Sequence, residues 1–167
     1  MTDKYFIGID PGINGGMACL DKHGNIVKMT TMPVSKVGTK MKLDPRAIVA
    51  WLRGCYTEEE VKIVAIEEQR PMHRQGVTST FSIGRGYGIL EGILATLELP
   101  YEVVGAHHWQ KEMFRGLPKG NTKDLSAKVA QQLYPKETFL KTAKCTKIHD
   151  GLTDAVLIAE YIRRVAK

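Results

Sequence analysis

Cysteine is scarce in this chain: Cys19, Cys55 and Cys145 are an odd number at spacings that match no metal-ligand motif. A disulfide framework is not expected, and the three read as reduced thiols of an intracellular protein. No apolar run approaches the roughly 18 residues of a membrane-spanning helix. The first residues also lack the pattern of a secretory signal, so the expected location is the cytoplasm. No serine- or cysteine-centred nucleophile motif is visible. Acidic residues are outnumbered, 18 Asp and Glu against 24 Lys and Arg, for a net charge of +6. That excess is local. Between Lys111 and Lys147 nine basic residues, among them Lys119, Lys123, Lys141 and Lys144, are opposed only by Glu112, Asp124 and Glu137. This stretch alone therefore accounts for the whole net charge. It is either a solvated lysine-rich face or a surface for a polyanion, and phosphate contacts are made mostly by such residues.

The 167 residues, 43% of them hydrophobic, suffice for one domain, 1–167, with a real core. Its organising stretch is Lys4 to Gly16, KYFIGIDPGINGG. Tyr5, Phe6, Ile7 and Ile9 are strand formers, and Gly8 is the only small residue among them. Pro11, Gly12, Asn14, Gly15 and Gly16 make a turn, and Met17 to Leu20 resumes as a strand. Asp10 thus stands at the mouth of a hairpin beside a loop with few side chains. It either caps the turn or faces a phosphate or a metal ion there.

Asp21 to Asn25 is a second turn, and Ile26 to Thr31 is expected as the third strand of a meander. Met32 to Leu43 reads as a loop whose Lys36, Lys40 and Lys42 either touch a phosphate backbone or, the preferred reading, serve solubility. Asp44 before Pro45 is a helix N-cap with proline in the first turn, opening a helix to about Arg53 that buries Ile48, Trp51 and Leu52. Thr57 to Glu60 is a polar connection. Val61 to Ile66, VKIVAI, has the continuous apolar character of a central strand and ends in Glu67 and Glu68. Gln69 to Gln75 follows as a loop with Arg70, Met72, His73 and Arg74.

From Val77 to Leu97 the spacing predicts a long helix containing Gly84, Gly86, Gly88 and Gly92, each costing roughly 1 kcal/mol against alanine. Gly84, Gly88 and Gly92 leave a bare stripe, open to the chain's own sheet or to a second copy of the helix. Tyr101 to Val104 is a further strand, and His107, His108 and Trp109 open a helix through Phe114. Asn121 or Thr122 caps an amphipathic helix through Tyr134, with Leu125, Val129, Ala130 and Leu133 facing inward and Lys123 in its first turn. Pro135 to Lys147 is basic and poorly periodic. The last helix, His149 to Val165, has Leu152, Ala155, Val156, Ala159 and Ile162 as its apolar stripe. Asp150 and Asp154 lie four apart on one of its faces, near the N-terminal end.

Two neighbouring parallel strands ending in Asp10 and Glu67 would set both carboxylates at one sheet edge, where α/β folds place their sites. A βββαβαβα layout could gather Asp10, Glu67, Asp150 and Asp154 there. Four such carboxylates repel unless hard divalent cations hold them, and Mg²⁺ combines a few carboxylates with phosphate oxygens. Together with the basic surface, this points to metal-assisted phosphodiester hydrolysis.

The motifs GIDPGINGG, AIEEQRP, SIGRGYGILEGIL and HDGLTDAVLIAEYIRR, in this order across nearly the whole chain, resemble RuvC-type Holliday-junction resolvases. The likeness is greatest to their small bacteriophage-encoded forms. The resemblance implies an RNase H-like α/β fold: a mixed five-stranded sheet, a three-strand antiparallel meander plus parallel strands, flanked by helices on both faces. It also implies a homodimer through the Val77–Leu97 helix and cleavage of opposed strands at a four-way DNA junction. Two Mg²⁺ or Mn²⁺ ions would be held by Asp10, Glu67, Asp150 and Asp154, with DNA on Arg70, Arg74, Lys119, Lys123, Lys141 and Lys144. Cellular members commonly space the terminal acids i,i+3, where Gly151 sits here, so either Asp150 or His149 is the additional ligand. The loop after Glu67 holds Arg70 and Met72 where cellular members carry an aromatic wedge. A nuclease for flaps and forks more broadly is the alternative. A sugar-kinase or actin-like ATPase shares G-I-D-x-G but needs a second phosphate loop that is not visible here.

Overall fold

In a computed structural model that describes residues 4–55 and 61–166, β1 (Tyr5–Asp10) turns through Gly12–Gly15 into β2 (Gly16–Leu20). An Asp21 side chain then accepts from the His23 and Asn25 backbone at 2.8 Å and folds the next turn into β3 (Ile26–Thr31). The expected Thr57–Glu60 connection lies outside the described residues. Beyond it, β6 (Val61–Glu67) pairs parallel with β1, and β7 (Tyr101–Val104) pairs parallel with β6. The sheet order is β3-β2-β1-β6-β7, an antiparallel meander joined to two parallel strands, as the sequence predicts.

Strand residues alternate between faces, and the two faces bury different helices. Ile7, Ile9, Met17, Val64 and Ile66 pack with Ile48 and Leu52 of α1 (Pro45–Arg53) and with Leu90 and Leu94 of α2 (Val77–Thr96). Phe6, Ala18, Leu20 and Ala65 pack on the opposite side against α5 (Asp150–Val165). Outside α5 lie α3 (Ala106–Met113), with fully buried Trp109, and α4 (Thr122–Leu133). The expected α1 cap is present, with Asp44 Oδ1 accepting from the Arg46 and Ala47 N–H groups at 3.1 Å.

Three expectations need correction. The stretch from Met32 to Leu43 is not a loop. It forms a separate two-stranded hairpin, β4 (Val34–Val37) and β5 (Lys40–Leu43), because Leu43 and Met32 are buried while Gly38, at φ 63°, makes the tight turn. Leu133 does not face inward but is 40% exposed. Tyr134 takes the core position beyond it, and Ser126 is buried in α4's inner stripe. Helix α5 is not simply striped: Thr153, Leu157, Ile158 and Glu160 are buried as well, since α3 and α4 cover the face away from the sheet.

Candidate active site

Residues of β1 pair with β6 in the register Ile9 opposite Ile66, so Asp10 and Glu67 are the next residues on adjacent parallel strands. Alternation from Gly8 and Ala65 turns both carboxylates toward the α5 side of the sheet. Glycines then let α5 reach them. A Cβ at Gly8 would lie 2.2 Å from the Ala155 carbonyl oxygen and 2.3 Å from the Ala159 nitrogen. One at Gly16 would lie 2.3 Å from the Gly151 oxygen, and one at Gly151 would lie 2.4 Å from the Gly15 carbonyl carbon. Helix α5 therefore crosses β1 backbone to backbone, with its N-terminus on the β1–β2 turn. This crossing sets Asp150 and Asp154 at the edge that holds Asp10 and Glu67. Sequence reading named the four acids but missed these three contacts; the available signal was a glycine inside the apolar β1 strand.

The electrostatics carry the mark of this crowding. Burial pushes Asp10 well above the ordinary carboxylate range, and Glu67, Asp154 and Asp150 push it further. Glu67 rises to about 7 through burial and then the Asp154 charge. Asp154 rises to about 6, chiefly by burial, with the Asp150 charge adding to it. The Trp109 indole, buried without a well-formed hydrogen bond, opposes part of the Glu67 rise, and the Ser126 hydroxyl does the same for Asp154. Asp154 Oδ1 is buried with no hydrogen-bond partner. Asp150 differs, since its Oδ2 accepts from Lys123 Nζ at 2.8 Å.

Such acids can either hold protons or share cations. An orphaned buried carboxylate oxygen and an all-oxygen donor set fit a hard divalent ion. Among the described residues, no three His, Cys, Asp or Glu side chains close into a ready cage, so the carboxylates share a field without converging on one point. His149 is the N-cap residue of α5; its Nδ1 is buried and unpartnered, and burial followed by Lys141 holds its pKa below the ordinary value.

The basic residues named from the sequence lie on several elements. Arg70 lies in the loop between β6 and α2, 2.8 Å from Glu68, and exposed Arg74 follows at φ 66°. Lys119 lines a groove between α3 and α4 with His107, Lys111 and Phe114. Lys123 reaches into the site through Asp150, while Lys141 and Lys144 stand exposed on the 135–147 segment. Adjacent His107 and His108 meet edge to face.

No protein-family model matches the chain, and no curated protein matches it in sequence. Solved structures do. Thermus thermophilus RuvC in complex with a Holliday junction substrate superposes with a TM-score of 0.53 at 16% identity, over 98% of this chain and 96% of that one. A second Thermus thermophilus RuvC structure gives 0.53 at 19% identity, over 96% and 95%. The chain has the RuvC-like fold. Within it, Asp10 and Glu67 end neighbouring strands, and Asp150 and Asp154 come from the terminal helix. The five-stranded sheet runs from the meander to β7, and the β4–β5 hairpin stands apart from it as a second small sheet.

Proposed function

We propose that the protein is a metal-dependent, structure-specific DNA endonuclease that resolves four-way junctions by paired, symmetric nicking. The observation that carries this reading is the gathering of four acids from β1, β6 and α5 at one edge of a RuvC-like sheet, where Asp10, Glu67 and Asp154 are buried and crowded and Asp150 is held by Lys123. Asp10, Glu67 and Asp154, with Asp150 or His149, would hold Mg²⁺ or Mn²⁺. With two such ions bound, the chemistry supplied is activation of water and neutralisation of charge on the leaving 3′ oxygen. The products would be 5′-phosphate and 3′-hydroxyl ends.

The remaining parts of the chain supply position. Lys123 holds Asp150 and presents a cation where a scissile strand would enter. Lys119, Lys141 and Lys144 track the backbone, whose contacts fix register without reading sequence. Arg70 and Arg74 flank the strand end that carries Glu67. Paired nicking needs two sites, and α2 offers the surface for a second copy. A Cβ built at Gly84, Gly88 or Gly92 meets nothing within 4 Å, so the bare stripe does not serve the chain's own packing. Val77 at 87% and Phe81 at 70% exposure extend that face.

The test is incubation of the full chain with a synthetic four-way junction, a flap and a linear duplex, with and without Mg²⁺. Symmetric, Mg²⁺-dependent nicks in the junction alone support the reading. Cutting of flap and junction alike would reduce it to a general branched-DNA nuclease, and absence of any nick would overturn it.

A further inference from the structure

The β4–β5 hairpin belongs to neither the sheet nor the acid cluster. It pairs Val34 with Leu43, Ser35 with Lys42, Lys36 with Met41 and Val37 with Lys40. Its base is fixed: Leu43 is buried, Val34 packs on the core, and Pro33 oxygen accepts from Asp44 nitrogen at 2.9 Å. The rest is free of the body, with Val37 and Met41 about half exposed. Lys36, Lys40 and Lys42 are all exposed, no acid lies between Val34 and Leu43, and no ion pair joins these lysines to a described acid.

Its place matters more than its composition. Across the sheet, Asp10 pairs with Gly16 and Gly16 with Thr31, so the three form one lateral row at the acid edge. Met32 nitrogen donates to Gly15 oxygen at 2.9 Å in the same turn, and β4 begins two residues later. The hairpin therefore springs from the sheet edge that carries the acids, although its base packs on the α1–α2 side and the acids turn toward α5. Four residues at about 3.3 Å each give an arm of roughly 13 Å. On one DNA strand that length spans about three to four phosphate steps of 3.4 Å along the axis.

We infer that the β4–β5 hairpin is a DNA-backbone clamp, whose Lys36, Lys40 and Lys42 hold phosphates a few nucleotides from the one lying at the acid edge. The inference rests on the nuclease reading above and adds a surface to it. Side-chain alternation sets Lys40 and Lys42 on one face with Val37, and Lys36 on the other with Met41. Lys40 and Lys42 would thus meet the phosphates of a strand lying along one face beside Val37, and Lys36 those of a strand along the other beside Met41. A second copy of the hairpin is the poorer occupant, because two arms with three uncompensated lysines each would repel.

The experiment compares the Asp10→Asn chain with the same chain carrying Lys36→Ala, Lys40→Ala and Lys42→Ala, by fluorescence anisotropy on a labelled four-way junction across salt. An affinity at least about tenfold lower at 0.1 M salt, with a log K against log [salt] slope shallower by about 2 to 3, supports the clamp. A Lys→Arg triple variant should keep both values. Unchanged affinity and slope in a chain whose wild type nicks junctions would overturn the clamp alone. Failure of the wild type to bind or nick junctions would overturn both readings. Altered self-association by sedimentation, with the salt slope intact, would make the hairpin a protein interface and also overturn the clamp.

Discussion

Replacing Gly8 by alanine should damage stability and activity together, although Gly8 lies two residues from the nearest acid. The new methyl would sit 2.2 Å from the Ala155 oxygen and 2.3 Å from the Ala159 nitrogen, both backbone atoms of α5. Non-bonded carbon contacts settle near 3.5 Å, so α5 must retreat by about 1 Å, a gap that forfeits a quarter to a half of each contact it opens. Helix α5 carries much of one core layer, through Leu152, Ala155, Val156, Ala159 and Ile162. Overpacking usually costs about 1–3 kcal/mol, and with backbone on both sides of the clash the upper end, about 3 kcal/mol, is expected. The same retreat moves Asp150 and Asp154 away from Asp10 and Glu67, and misplacement of about 1 Å can cost about 100-fold in rate. Urea unfolding followed by circular dichroism should show a midpoint lowered by about 1–2 M at an ordinary slope, and junction nicking should fall about 100-fold. An alanine variant with wild-type midpoint and rate would refute the backbone-to-backbone crossing.

Other consequences follow from the same geometry. In metal-free protein, Glu67 and Asp154 titrate at about 7 and about 6 against ordinary values of 4.5 and 3.8. The folded state binds the extra protons, so the stability these acids allow is present at low pH and is lost as pH rises through about 4 to 7. His149, held low, works the other way but is one group against three raised acids. Melting in EDTA should therefore fall from pH 5 to 7.5, and Mg²⁺ should raise it most at the upper end; a metal-free melting temperature that climbs with pH and ignores Mg²⁺ would contradict this. Gly88→Leu fills open space and should leave the fold intact while abolishing self-association by sedimentation velocity; an unaltered dimer would remove α2 as the contact. Lys123→Ala should leave stability nearly unchanged, its ammonium being largely in solvent, yet reduce the salt slope of junction binding by about 1. A large loss of stability with an unaltered slope would make Lys123 structural.

Elements with local chemical signatures were legible in the chain itself. Asp44-Pro45 announced α1, the continuous VKIVAI announced a central strand, and the acids at the ends of β1 and β6 followed from it. What escaped depended on partners far away in sequence. Gly8, Gly16 and Gly151 look like ordinary turn or strand glycines until α5 is laid across β1. Residues Val34 to Leu43 hid a hairpin because Val34 to Val37 does not alternate and the turn, Gly38-Thr39, lacks the usual Asn-Gly or Asp-Gly pair. Leu133 misled for a related reason: helical phase put it inward, but Tyr134 extends from the helix end and fills that place. The glycine stripe of α2 was ambiguous by composition, and the absence of any neighbour within 4 Å of Gly84, Gly88 and Gly92 separates it from intramolecular packing.

On the proposed reading, the acids at the β1, β6 and α5 edge act together on a DNA phosphate. Quantitative nicking of a four-way junction in Mg²⁺ by the wild type and by Asp10→Asn tests it most directly. Asp10→Asn should lose more than the roughly 100-fold attached to disturbing a ligand's supporting contacts, while binding the junction as before. Wild-type nicking by Asp10→Asn would contradict it.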